Sequence, residues 1–149
     1  CMRVSSGQLP LAMHEDASSF KIYMADTGLL VARSGLDSSM VLDTERRRRI
    51  DLGGIVENYV AQALSANGVP LRYWTSNGTA EVDFVIQPHD AVAGVPVEVK
   101  SSDNTRSRSL ASYRSKYAPN DAIRLSTKNF GTDNGVRSVP LYAAFCVED

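Results

Sequence analysis

Glu81-Val82-Asp83-Phe84-Val85-Ile86, followed after a short connection by Val95-Pro96-Val97-Glu98-Val99-Lys100, decides how this chain folds. Side chains of a strand alternate between its two faces. In the first run, alternation groups Glu81 and Asp83 on one face and Val82, Phe84 and Ile86 on the other. In the second, Glu98 and Lys100 share a face opposite Val97 and Val99. Pro88 and Gly94 bound a connection short enough for the two strands to pair, which makes Asp83 and Glu98 neighbours.

Working outward, Leu71-Arg72-Tyr73-Trp74 reads as a preceding strand, turned by Asn77-Gly78. Before it, Leu52, Ile55, Val56, Tyr59, Val60, Ala63 and Leu64 recur at helical spacing and predict a helix from about Asp51 to Ala66, stopped by Asn67-Gly68. At about 100° per residue, Glu57 falls at the edge of that apolar stripe and Asn58 is turned farther away. After the strands, Arg106 to Tyr117 reads as a helix with Leu110 and Tyr113 on one side, ended by Pro119 and Asn120. Ala122 to Ser126 is a further strand. A loop rich in Gly, Asp and Asn follows, and Pro140 to Val147 fits either a strand or a short helix. Residues 1–18 read as a short strand and connecting loop, the remnant of a preceding region, with the main domain over 19–149. Phe20 to Met24 alternates as a strand, and Asp26 or Thr27 caps a short helix through Leu29, Leu30 and Val31, stopped near Gly35. Helix, three strands, helix, strand predicts an α/β fold: a mixed central β-sheet flanked by α-helices, with a parallel crossover to the last strand.

Composition narrows the function classes. A length of 149 residues suits one domain with a real core. A net charge of -1 excludes a uniformly basic nucleic-acid coat but leaves room for a local basic groove. Two cysteines at opposite ends and two scattered histidines give neither a disulfide framework nor zinc-ligand spacing. No apolar run approaches the roughly 20 residues of a membrane span, and no signal peptide is visible, so a cytoplasmic location is expected. The chain starts mid-pattern without an initiator methionine, as a C-terminal piece of something longer would.

Three carboxylates, Glu57, Asp83 and Glu98, and the Lys100 ammonium would occupy a small volume if the helix packs beside the strand face. Crowded carboxylates disfavour each other's ionisation, and a divalent cation relieves the repulsion. Magnesium takes hard oxygen ligands and keeps several waters. Asp83 and Glu98, with the backbone carbonyl of Val99, are suited to hold it. Such an ion acidifies water and stabilises charge on a phosphodiester. Lys100 would orient that water or neutralise developing charge. The same residues also suit the wet face of an antiparallel hairpin laced by cross-strand ion pairs. Their order along the chain tips the balance: a helix bearing an acid, then a strand with Asp, then a strand with Glu-x-Lys.

Gly54-Ile55-Val56-Glu57-Asn58-Tyr59-Val60, Tyr73-Trp74, Glu81-Val82-Asp83-Phe84 and Val97-Glu98-Val99-Lys100-Ser101, in that order, resemble the PD-(D/E)XK nuclease superfamily. More closely, they resemble the uncharacterised domain at the C-terminus of many prokaryotic AAA-type ATPases. Phe20 to Leu30, Ser109-Leu110 with Tyr113 and Tyr117, Ala122 to Ser126 and Val139-Pro140-Leu141-Tyr142 extend the likeness over nearly the whole chain. Val82 stands where the superfamily's name motif has proline. The resemblance implies a restriction-endonuclease-like fold and a site made of Glu57, Asp83, Glu98 and Lys100, with Glu81 as an auxiliary. It also implies magnesium or manganese as cofactor, DNA as substrate, and an ATPase region N-terminal to this piece. No G-x-x-x-x-G-K-[ST] stretch occurs, so ATP hydrolysis is not expected of these residues.

Arg106, Arg108, Arg114 and Lys116 either flank a nucleic-acid backbone or form an exposed helix face. The Arg46 to Arg49 run has the same two readings. Trp74 either stacks on a base or packs at the edge of the core. Gly53-Gly54 resembles a phosphate loop only faintly and suits a flexible helix start. Two functions follow: a metal-dependent endonuclease, or a non-catalytic module that binds nucleic acid or a partner and regulates an attached ATPase.

Overall fold

In a computed structural model, which describes residues 1–37, 39–40, 43, 50–76, 79–101 and 107–147, the run from Glu81 to Ile86 is not one strand. It breaks at Asp83 into β4 (Ala80–Val82) and β5 (Phe84–Ile86). β4 pairs with β3 (Arg72–Ser76), Trp74 opposite Val82, whereas β5 pairs with β6 (Val95–Val99), Phe84 opposite Val97. The chain thus passes from one sheet to another at Asp83. Val82 packs with Val85 in one core cluster, while Phe84 and Ile86 pack in a second. Two residues three apart cannot share a face of a regular strand. The bend at Asp83 therefore corrects the expected grouping of Val82 with Phe84 and Ile86.

The fold is mixed α/β, as the element order predicts, with its strands divided between two sheets. The first, of four strands, runs β2-β1-β3-β4, with β1 (Met2–Val4) antiparallel to β2 (Glu15–Phe20) and parallel to β3. The expected boundary between residues 18 and 19 falls inside β2, and Val4 and Leu11, before it, are fully buried. Residues 1–18 are part of the same packed unit. Lys21 to Met24, expected as strand, lie beyond the end of β2.

The second sheet, of five strands, runs β5-β6-β7-β9-β8. β7 (Ile123–Ser126) is parallel to β6 and reached through a helix, α3 (Arg108–Tyr117), which is the expected crossover. Ser107 caps α3 by accepting a hydrogen bond from the Leu110 N–H at 3.1 Å. The Gly, Asp and Asn loop turns out to be a hairpin of β8 (Gly131–Asp133) and β9 (Val136–Pro140). Its turn residues Asn134 and Gly135 have φ of 51° and 71°, the left-handed pair that matches strand twist. Leu141 to Cys146 form a 3-10 helix.

Two further helices complete the layers. α1 (Thr27–Arg33) is capped by Asp26, whose carboxylate accepts from the Leu29 N–H at 2.8 Å. α2 (Gly53–Ala66) ends at Asn67 with Gly68 at φ 77°, as its sequence predicts. Its orientation differs from the apolar-stripe reading. Asn58 is only 2 % exposed, and Tyr59 faces outward. The reason is polar: the Asn58 amide accepts from the Met24 N–H at 2.8 Å, and donates to the Met24 carbonyl and Thr27 hydroxyl, both at 3.1 Å. Those bonds dock residues 24–27 onto α2.

Trp74 is 1 % exposed and wedged between Tyr113 and Tyr117, edge-to-face, with centroids 5.2 and 6.0 Å away. It is a core residue and cannot stack on a base. The close approach of α3 to the sheet requires glycine at Gly94, because an added Cβ would sit 2.7 Å from Val85 Cγ1 and 2.9 Å from both Leu11 Cδ2 and Tyr113 Oη.

Candidate functional site

Extending the β5–β6 register by one step sets Asp83 opposite Glu98. Because the chain leaves the sheet at Asp83, the Val99 N–H has no strand partner on that side. The Asp83 carboxylate takes it instead, at 2.7 Å. This bond anchors Asp83 at the C-terminal end of β6, beside Glu98 and Lys100. Burial pushes the Asp83 carboxyl up to about 7. The Glu98 charge contributes to that rise, the Val99 N–H opposes it, and Glu57 and Lys21 add smaller effects of opposite sign. Glu98 is 4 % exposed. One of its oxygens pairs with Lys100 Nζ at 2.6 Å. The other, Oε2, is buried without a hydrogen-bond partner among the described residues.

Glu57 and Glu81 enter through a residue that the motifs do not include. Lys21 Nζ bridges them, 2.9 Å from Glu57 Oε1 and 2.6 Å from Glu81 Oε1. Burial alone would lower the Lys21 ammonium, but its bonds to Glu81 and Glu57 outweigh that and hold it above the usual lysine range. The Tyr23 hydroxyl donates to the same Glu57 oxygen. Burial and the adjacent Glu57 keep that phenol protonated far beyond physiological pH. Lys21 is held by main-chain bonds to Cys1, so β1 helps to position the site. Alternation in residues 20–24 runs inside out: Lys21 and Tyr23 turn inward, and Ile22 is 83 % exposed. Glu81 is also fixed through its N–H, which donates to Ser109 Oγ of α3 at 3.2 Å.

Glu57, Asp83, Glu98, Lys100 and Glu81 therefore form one electrostatic neighbourhood, but as two linked groups. Asp83, Glu98 and Lys100 make one; Glu57, Glu81 and Lys21 make the other. Among the described residues, no three His, Cys, Asp or Glu side chains are arranged to hold a metal ion jointly. The Asp83–Glu98 pair alone still fits a hard cation, since magnesium commonly uses one or two protein carboxylates and keeps waters. The unpartnered buried oxygen of Glu98 and the charge-disfavouring surroundings of Asp83 are the features a cation would relieve. A cleft of about 780 Å³ opens beside the second group. Lys21, Tyr23, Glu57 and Asn58 line it; Asp83, Glu98 and Lys100 are not among its described lining residues.

The basic residues of α3 do not form a common stripe. Arg108 is exposed on the first turn. Arg114 Nη1 donates to the Asn134 carbonyl at 2.8 Å, tying α3 to the β8–β9 turn. Lys116 Nζ lies over the Tyr117 and Trp74 rings, 5.1 and 5.8 Å from their centroids. Arg106 and the Arg46 to Arg49 run lie outside the described residues. At Gly53-Gly54 the Asp51 carboxylate accepts from the Gly53 N–H at 2.9 Å, so an acid occupies the place a phosphate would need.

A family model for a domain of unknown function, DUF4143, matches residues 52–144, from the start of α2 into the last 3-10 helix. The chain belongs to the DUF4143 family. The match takes in Glu57, Glu81, Asp83, Glu98 and Lys100, but leaves Lys21 and Tyr23 outside it. Among curated proteins, the DUF4143 chain is similar to an uncharacterized protein of Mycobacterium bovis and one of Mycobacterium tuberculosis. Each is 32% identical over 92 residues, which cover 62% of this chain and 20% of the relative. The chain thus matches about a fifth of the length of these relatives. No solved structure matches it. No helix among the described residues is long and apolar enough to cross a membrane.

Proposed function

We propose that this DUF4143 domain is a metal-dependent nuclease of the PD-(D/E)XK type, restriction-endonuclease-like in fold, which hydrolyses DNA phosphodiesters. The observation that carries the reading is the Asp83–Glu98 pair: two adjacent carboxylates, one held near neutrality and the other with a buried, unpartnered oxygen. Asp83 and Glu98, with the Val99 carbonyl, would hold magnesium or manganese, which when bound supplies an acidified water and positive charge. Lys100, fixed by Glu98, presents an ammonium to a phosphate oxygen or to the attacking water. Glu57, held by Lys21 and Tyr23, shapes the field around Asp83. The order of motifs supports a domain C-terminal to an ATPase region. The test is nicking of supercoiled plasmid by the purified chain with magnesium or manganese. Nicking that stops on chelation, and slows by about a hundredfold in Lys100→Ala, is the expected result; a wild-type chain that never nicks removes the reading.

A second reading has its own support. Lys21 already bridges Glu57 and Glu81 with one positive charge, as an internal substitute for a cation would. This favours a non-catalytic module that binds nucleic acid or a partner and regulates an attached ATPase. That module would neither cleave DNA nor take up manganese.

A further inference from the structure

Arg124 is the second buried charge on the sheet with an unmet bond. It lies in β7, between Ile123 and Leu125, whose side chains fill the main core cluster. Arg124 therefore faces the opposite side of the sheet, as does Glu98 between Val97 and Val99. The parallel register pairs Glu98 directly with Arg124, so the two are cross-strand neighbours on one face. Opposite charges so placed would ordinarily bond. Here they do not: Glu98 pairs with Lys100, and Arg124, at 9 % exposure, keeps its Nε without a hydrogen-bond partner among the described residues.

A buried charged group without its bonds is costly, and native proteins rarely leave one unless an ordered water, an ion or a ligand supplies the partner. Glu98 Oε2 lacks a positive partner and Arg124 Nε lacks a negative one. We propose that Arg124 is a phosphate-binding residue of this site, receiving the backbone phosphate of a nucleic acid beside the Glu98 carboxylate. The inference rests on the nuclease reading for the identity of its ligand, but not on cleavage. Arginine suits the role because its planar fork meets two phosphate oxygens at once, and because it does not lose its charge on burial. Lys100, paired with Glu98, would meet the same phosphate as a point charge.

The alternative is a purely structural Arg124, a diffuse counter-ion that keeps Glu98 tolerable in the core. Stability and binding separate the two. A counter-ion is missed on removal because it leaves a buried charge uncompensated; an unpaired ligand-binding guanidinium is not. The experiment measures thermal midpoint and affinity for a fluorescent 12-base-pair DNA, in chelator so that no cleavage intervenes, for wild type, Arg124→Met and Arg124→Lys. Inorganic phosphate as competitor tells a site for the free anion from one that needs the nucleic-acid backbone. The expected result is an unchanged or raised midpoint in Arg124→Met, with DNA affinity weakened about tenfold or more, and partial recovery in Arg124→Lys. Wild-type affinity in Arg124→Met overturns the proposal. So does a lowered midpoint in Arg124→Met together with wild-type affinity in Arg124→Lys, or a wild-type chain that does not bind the DNA. If the wild type binds but does not nick with manganese, the nuclease reading fails while Arg124 keeps its role.

Discussion

Replacing Asp83 by Asn stabilises the chain above pH 7, by up to about 4 kcal/mol, and abolishes nicking. The Asp83 carboxyl is raised from an ordinary value of 3.8 to about 7 in the folded chain. Between those two values the native state keeps a proton that the unfolded state releases. The native state therefore binds more protons, and stability falls as pH rises from about 4 to about 7. Asparagine at 83 still offers an oxygen to the Val99 N–H but carries no charge, so the fall disappears. Urea denaturation at pH 5 and pH 8, followed through Trp74 fluorescence, measures the effect. The variant should gain at pH 8 relative to wild type and show a flatter profile; a variant weaker than wild type at pH 8 would show that Asp83 is satisfied as an anion. The accompanying loss of cleavage is what a site that trades stability for charge predicts.

Trp74→Ala should remove about 3–5 kcal/mol, a large share of the roughly 5–15 kcal/mol that keeps a domain folded. The indole is buried where the two sheets meet, against Val4, Leu11, Val82, Val85 and Tyr113. It also donates from Nε1 to the Tyr117 hydroxyl at 3.2 Å. Its removal opens a cavity beside the bend that carries Asp83, and strands from both sheets line that cavity, which limits collapse. Trp74→Phe keeps a ring but loses the Nε1 bond, and should cost less. Far-UV circular dichroism on heating separates the variants. A Trp74→Ala chain that melts within a few degrees of wild type would mean that this cluster does not hold the sheets together.

Much of the fold was legible because it depends on period and punctuation. The β5–β6 pairing, the α3 crossover and the end of α2 at Asn67-Gly68 follow from alternation, short connections and glycine. The neighbourhood of Asp83 and Glu98 follows from the same pairing. What escaped was the direction of a pattern rather than its presence. Residues 20–24 alternate, but alternation does not say which face is inside, and the inward choice of Lys21 and Tyr23 depends on Glu57 and Glu81 far along the chain. Helical spacing turns Asn58 away from the apolar stripe, but the helix is oriented by more than that stripe: the Asn58 amide bonds residues 24–27 and is buried. The bend at Asp83 carries no glycine or proline as a mark; the Asp83 carboxylate fixes it by accepting from the Val99 N–H. The β8–β9 hairpin did carry a mark, Asn134-Gly135, and a turn could have been drawn from it.

The central claim is that Asp83 and Glu98 form one cation-binding pair, and calorimetric titration of manganese into wild type and Glu98→Gln tests it most directly. Glutamine keeps the shape of the buried side chain while removing its charge. Heat of a single binding event in wild type, absent from Glu98→Gln, is the predicted outcome. Equal heats from the two chains, or none from wild type, would contradict it.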